Sequence, residues 1–177
     1  LNTLRPSPQV ILIACGLAFS RKLGYLSFKT PMLLCRSWRR YRISQAHYQF
    51  AVDFSNQTWE FLERKNRTRL EDIRMVDFAY GSLAHWRSVG GTVRQQRGEW
   101  LVSRVHAVLG KGGPALKRAQ FCYQLLEDNK SEMDDVDTAF AYEAVARAYA
   151  VSGDKKESLK FLEMAKKAGE EIKNDKD

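Results

Sequence analysis

The chain is short of cysteine and proline, and it has no long apolar run. Its three cysteines, Cys15, Cys35 and Cys122, are an odd number at no metal-binding or redox spacing. That excludes a disulfide-stapled secreted scaffold and points to a reducing, cytoplasmic setting. Four prolines and eleven glycines in 177 residues are too few for a collagen-like or mainly disordered chain. No apolar run reaches the roughly 18 to 20 residues of a bilayer-spanning helix, which excludes a polytopic helical membrane protein. What remains is 44% hydrophobic and 28% charged, enough to bury a core in one domain with an appendage.

Acidic residues are missing too, from one region only. Residues 1–45 hold eight of the 29 basic residues (Arg5, Arg21, Lys22, Lys29, Arg36, Arg39, Arg40 and Arg42) and no Asp or Glu; the first acid is Asp53. The other 21 basic residues balance 21 acids, so the net charge of +8 belongs to this segment. The expected organisation is a poorly ordered basic arm over 1–45 and a neutral helical body over 46–177. Val10–Phe19 has the length of a signal-peptide core but lacks a small-residue cleavage site after it. Arg36-Ser-Trp-Arg-Arg-Tyr-Arg42 interleaves aromatics with arginines, a pattern that can meet nucleic acid or an anionic membrane surface.

The body contains a duplication. Residues 99–122 and 142–165 align without gaps at a shift of 43 and share seven of 24 positions: Val102/145, Arg104/147, Ala107/150, Val108/151, Gly110/153, Leu116/159 and Lys117/160. Chance would give about one or two. Each copy reads as helix, tight turn, helix. In the later copy Tyr142, Val145, Ala146 and Tyr149 form one apolar helical face. Gly153 ends that helix, Asp154 with Glu157 caps the next, and Ser158, Leu162 and Ala165 mark its inner face. In the earlier copy Gly110–Pro114 makes the turn and Ala115, Ala119 and Cys122 face inward. Leu126 to Asp137 is expected as a polar connector. Upstream, Ala46–Lys65 and Leu70–Val89 read as two further helices, the first with apolar Phe50, Phe54, Trp59 and Phe61. The second opens on the capping box Thr68-Arg-Leu-Glu71 and ends at Gly90-Gly91.

These residues resemble the tetratricopeptide repeat family, best over Ala139–Gly169. The chain departs from the family at Glu170, where proline is frequent, and in the earlier copy at Glu99 and His106. More closely, 47–172 resembles a group of uncharacterised bacterial proteins with tetratricopeptide-like helices. The carrying residues are His85-Trp86-Arg87, Arg97-Gly-Glu-Trp100, Ser103-Arg104 and the run Ala139–Val151. The resemblance implies an all-α stack of about three antiparallel helical hairpins, a bacterial origin, and no particular activity.

The chemistry-bearing residues do not assemble into a catalytic motif. His47, His85 and His106 stand at no metal-ligand spacing, and there is no nucleophile elbow, phosphate loop or dinucleotide fingerprint. Gly110-Lys-Gly-Gly lacks the ending of a phosphate loop, and Asp134-Asp-Val-Asp137 lacks the glycine and distal glutamate of a calcium loop. His106 is expected as a hydrogen-bonded packing residue and Cys122 as a small core residue. No enzyme, cofactor, metal or small-molecule substrate is therefore expected. The repeat register instead sets Phe140, Glu143 and Arg147 on one stripe and Arg97, Trp100 and Arg104 on its equivalent. In tetratricopeptide stacks the first helix of each hairpin lines the concave face. By that resemblance these six residues would line a groove for a protein or peptide partner, as aromatics and arginines suit. The runner-up function is nucleic-acid or membrane-surface association through residues 1–45.

Overall fold

The computed structural model describes residues 31–172, with side chains from Arg42 onward. Among them are six α-helices: α1 (Pro31–Glu63), α2 (Arg69–Val89), α3 (Thr92–Val108), α4 (Gly112–Asp128), α5 (Asp135–Ser152) and α6 (Lys155–Glu171). A 3₁₀ turn, Lys130–Glu132, precedes α5, and there is no strand among the described residues. The described part of the chain is all-α, as its periodicity implies. None of these helices is long and apolar enough to cross a membrane.

The helix ends follow the local chemistry. Thr68 accepts from the Glu71 amide, and Glu71 reaches back to the Thr68 amide at 2.8 Å, completing the capping box. Gly153 adopts φ 88°, a left-handed conformation that is costly for any residue with a Cβ, and it closes α5. Asp154 accepts from the Glu157 amide at 3.1 Å, so α6 is capped by the aspartate alone rather than by a reciprocal box.

Three expectations are corrected. Helix α1 begins at Pro31, well before the expected boundary at Ala46, so part of the basic segment is helical; Val10–Phe19 lies outside the described residues. The expected connector from Leu126 to Asp137 is mostly structured. Helix α4 continues through Asp128, and Leu126 and Asp137 are both buried. Polar residues in Glu127–Glu132 hide the fact that Leu126 continues the inward stripe of Ala115, Ala119 and Cys122. On α6, Leu162 is exposed, and Phe161 and Ala168 supply inner-face packing with Ser158 and Ala165 half-buried.

Neighbouring helices pack in chain order, α2 on α3, α3 on α4, α4 on α5 and α5 on α6, and α3 also touches α5. Helix α1 lies on α2 through Phe54 and Phe61 against Phe78 and through Ser82 Oγ, which donates to the Ala51 carbonyl at 2.8 Å. The core has a bulky part, where Phe61, Met75, Leu83, Val102 and Val105 join α1, α2 and α3. It also has an alanine-rich part, where Ala107, Ala115, Ala119, Ala144 and Ala148 let α3, α4 and α5 approach closely. Cys122 is fully buried, and burial pushes its thiol pKa far up, so it packs as a small apolar side chain.

The close approach of α4 to α5 yields a matched pair of expected outcomes. A Cβ at Gly112 would stand 2.9 Å from the Ser152 Cα, whereas nothing lies within 4 Å of one at Gly169. Gly112→Ala should cost about 1 to 3 kcal/mol, the usual overpacking cost, because backbone rather than a flexible side chain must move. Gly169→Ala should stabilise by about 0.4 to 1 kcal/mol through the unfolded chain. Urea midpoints of the two variants check both signs.

Candidate functional site

The six residues singled out by the repeat register meet along one side of α3 and α5. Trp100 is the hub. Its indole Nε1 donates to Glu143 Oε2 at 3.2 Å, across the 43-residue period itself. Phe140 tilts against it at a centroid distance of 5.2 Å, and Trp59 from α1 lies on it at 5.9 Å. The Arg104 guanidinium sits over both indoles, 5.2 Å from the Trp59 ring centre and 5.6 Å from that of Trp100. Arg147 covers Trp100 at 5.7 Å and is bonded to Glu143. The result is an aromatic strip, Trp59–Trp100–Phe140, flanked by two arginines and one acid.

The two arginines are not equivalent. Arg147 has Glu143, one helical turn earlier on its own helix. Arg104 has no acid partner among the described residues, and its Nε and the Arg147 Nη1 are buried donors without an acceptor. Loss of water around Arg104 is the main cause that holds its pKa below the usual value. The positive charge of Arg147 adds to this, and Glu143 opposes it. Two guanidiniums therefore share one carboxylate, an arrangement that an incoming anion would complete.

Arg97 belongs to the same face but is already committed. It clasps Asp137 with Nε–Oδ1 at 2.6 Å and Nη2–Oδ2 at 3.0 Å, and Asp134 lies 3.4 Å away. The hydrogen bond to Asp137 leads the causes that raise its pKa. Asp137 is fully buried and also accepts from the Asp134 amide at 3.3 Å, so this acid organises the α5 N-terminus. Beside this pair, Gln96, Arg97, Trp100, Asp134, Val136 and Phe140 enclose a cleft of about 360 Å³. Arg97 thus shapes one end of the face, whereas Arg104 and Arg147 carry its unbalanced charge.

Two further polar residues fill positions where the repeat has aromatics. Glu99, at the place of Tyr142, is buried between Arg87 of α2 and Arg118 of α4, with Arg118 Nη1 at 3.2 Å. His106, at the place of Tyr149, is 6% exposed, and its Nε2 lies 3.1 Å from the Tyr80 hydroxyl. Burial, with Lys111 and Arg118 adding, lowers the His106 pKa and keeps the ring neutral. Both are interior residues.

Trp59 is the member of the strip that the sequence reading misses. No third copy is visible at a shift of 43, and Trp59 precedes Trp100 by 41 residues. At that spacing the two tryptophans are the one identity between 58–81 and 99–122, so the sequence carries no repeat signal for Trp59. His106 is the hydrogen-bonded packing residue that was expected, whereas His47 and His85, apart in sequence, meet between α1 and α2.

No family model, curated protein or solved structure matches the chain.

Geometry makes Arg104 a poor contributor to stability. Its guanidinium rests on two indoles, but its charge has lost water, faces Arg147 and has no acid. Arg104→Met keeps the apolar contact and removes the charge. The folded state should therefore change by no more than about 1 kcal/mol, in the stabilising direction. Arg97→Met should destabilise by about 3 kcal/mol or more, since it leaves the buried Asp137 carboxylate without its cation. Parallel guanidinium titrations rank the two; equal losses would sink this assignment.

Proposed function

We propose that this protein is a helical interaction module, built as tetratricopeptide-like stacked hairpins, that binds an acidic segment of a protein partner on the face of α1, α3 and α5. One observation carries the reading: Arg104 lies on Trp59 and Trp100 with no acid of its own, beside an Arg147 whose acid it must share. Stacking on an indole holds the guanidinium plane and leaves its two Nη groups, rather than the buried Nε, to donate a pair of hydrogen bonds to a partner. A carboxylate is planar and accepts such a pair. The flanking Trp59 and Phe140 offer apolar area for the neighbouring side chains of a peptide, and aromatic and arginine residues together form the usual energetic centre of an interface.

The arrangement of the helices supports the reading. Helices α3 and α5 are the equivalent first helices of the two repeat copies, and they touch one another as well as their own partners. In the proposed stack of hairpins the first helices lie side by side on one face, where equivalent positions such as 104 and 147 form rows, and the α3–α5 contact supports this. The setting we assign is cytoplasmic, in keeping with a buried, unpaired Cys122.

Binding of short peptides rich in Asp and Glu to the full chain, followed through tryptophan emission and fluorescence polarisation, tests the proposal. Replacing both Arg104 and Arg147 by Ala should weaken the best acidic peptide by roughly 2 to 5 kcal/mol, the cost of losing desolvated charge contacts. Basic and neutral peptides should bind little in either protein. An unchanged affinity in the double variant removes these arginines from the binding surface, whatever its effect on the denaturation midpoint.

A further inference from the structure

We propose that His47 and His85 form an acid-sensitive latch that fastens the upstream part of α1 to α2. The two Nδ1 atoms lie 2.7 Å apart, with ring centroids at 4.9 Å and the planes inclined by 50°. At that distance one nitrogen must carry a proton and the other must be bare. A shared metal ion does not fit: bonds of about 2.0 to 2.1 Å at tetrahedral angles hold two ligand nitrogens roughly 3.3 Å apart. Nor does any group of three His, Cys, Asp or Glu among the described residues stand ready to complete such a site. The pair shares a proton.

The proton count decides whether the contact survives. With both rings neutral, one N–H donates to the other's lone pair. With one ring protonated, the same bond becomes charge-assisted and holds. With both protonated, two N–H groups and two positive charges face each other, and the rings must part. The surroundings offer little relief. Phe50 and Phe54 pack on His85 at 5.3 and 5.7 Å. From α3, the Arg94 guanidinium lies over Tyr48 and Trp86, adding positive charge. Arg87, two residues from His85 on α2, is bound to Glu99, and Asp53 of α1 accepts from Gln49. Neither imidazole has a carboxylate partner among the described residues.

Opening would be local. Downstream of the pair, α1 is held independently by the buried Ser82–Ala51 bond and by Phe61, which belongs to the core. Around the pair, Ile43, Tyr48 and Phe50 are all about half exposed, and Tyr48 meets Trp86 only edge-on, so the histidines are the polar tie for that part of the helix. Acidification therefore frees the portion of α1 that carries Arg42, while the Trp59 end of the helix stays in place.

Amide exchange of the full chain, corrected for the intrinsic pH dependence of exchange, tests the latch between about pH 8 and about pH 5, the range in which imidazole changes charge. Protection of residues 42–50 should fall at least about tenfold relative to residues 55–63. His85→Gln presents both a donor and an acceptor to His47 in either charge state. This variant should hold 42–50 equally at both pH values, and His47→Gln on the opposite helix should do the same. Loss of protection at 42–50 that persists in both variants overturns the proposal, as does a wild-type segment whose protection does not change with pH.

Discussion

Glu99 is an acid held almost entirely out of water, and the placing of α3 among its neighbours depends on how that acid is satisfied. An unpaired carboxylate in the interior costs several kcal/mol. Arg87 from α2 and Arg118 from α4 share it, so both helices are fixed against α3 at the height of residue 99. Asp137, equally buried, repeats the device between α3 and α5 through Arg97. Net stabilisation from such pairs is modest, because desolvation offsets most of the attraction. Their effect is on register: a helix displaced by one turn would leave a bare carboxylate inside.

With α3 fixed in this way, the aromatic strip follows. The alanine-rich surfaces of α3, α4 and α5 allow close approach, and the 43-residue period then sets Trp100 beside Glu143 and Arg104 beside Arg147. Two like charges on equivalent positions are thereby brought near each other on one face. Only one of them gains an acid from its own helix, because Glu143 precedes Arg147 by a turn while Trp100 occupies the equivalent place before Arg104. That asymmetry between two otherwise matching copies gives the face its unbalanced positive charge.

Much of the fold is legible in the residues. Caps at Thr68 and Asp154, the glycine stops at Gly90, Gly91 and Gly153, and the inward stripe of Ala115, Ala119 and Cys122 all act through neighbours within a turn or two. The corrections fall where local composition misleads. Glu127–Glu132 is polar enough to pass for a connector from Leu126 onward, yet burial of Leu126 against Cys122 and Ala141 carries α4 through to Asp128. Leu162 sits at a plausible inward position on α6, but Phe161, one residue earlier and about 100° round the helix, makes the contact with Tyr123 and Tyr149.

For the candidate site, the sequence by itself determined the helical class, the repeat and the register that brings Trp100, Arg104, Phe140, Glu143 and Arg147 to one face. Those follow from a periodicity of 3.6 residues and from the duplication, both of which are written along the chain. Only the tertiary structure decided that Arg97 is spent on Asp137, that Trp59 joins the strip, that Glu99 and His106 are interior, and that His47 meets His85. Each of these depends on the distance between side chains from different helices. Helix packing sets such distances to within an ångström, whereas a sequence pattern specifies only which side of its own helix a residue occupies.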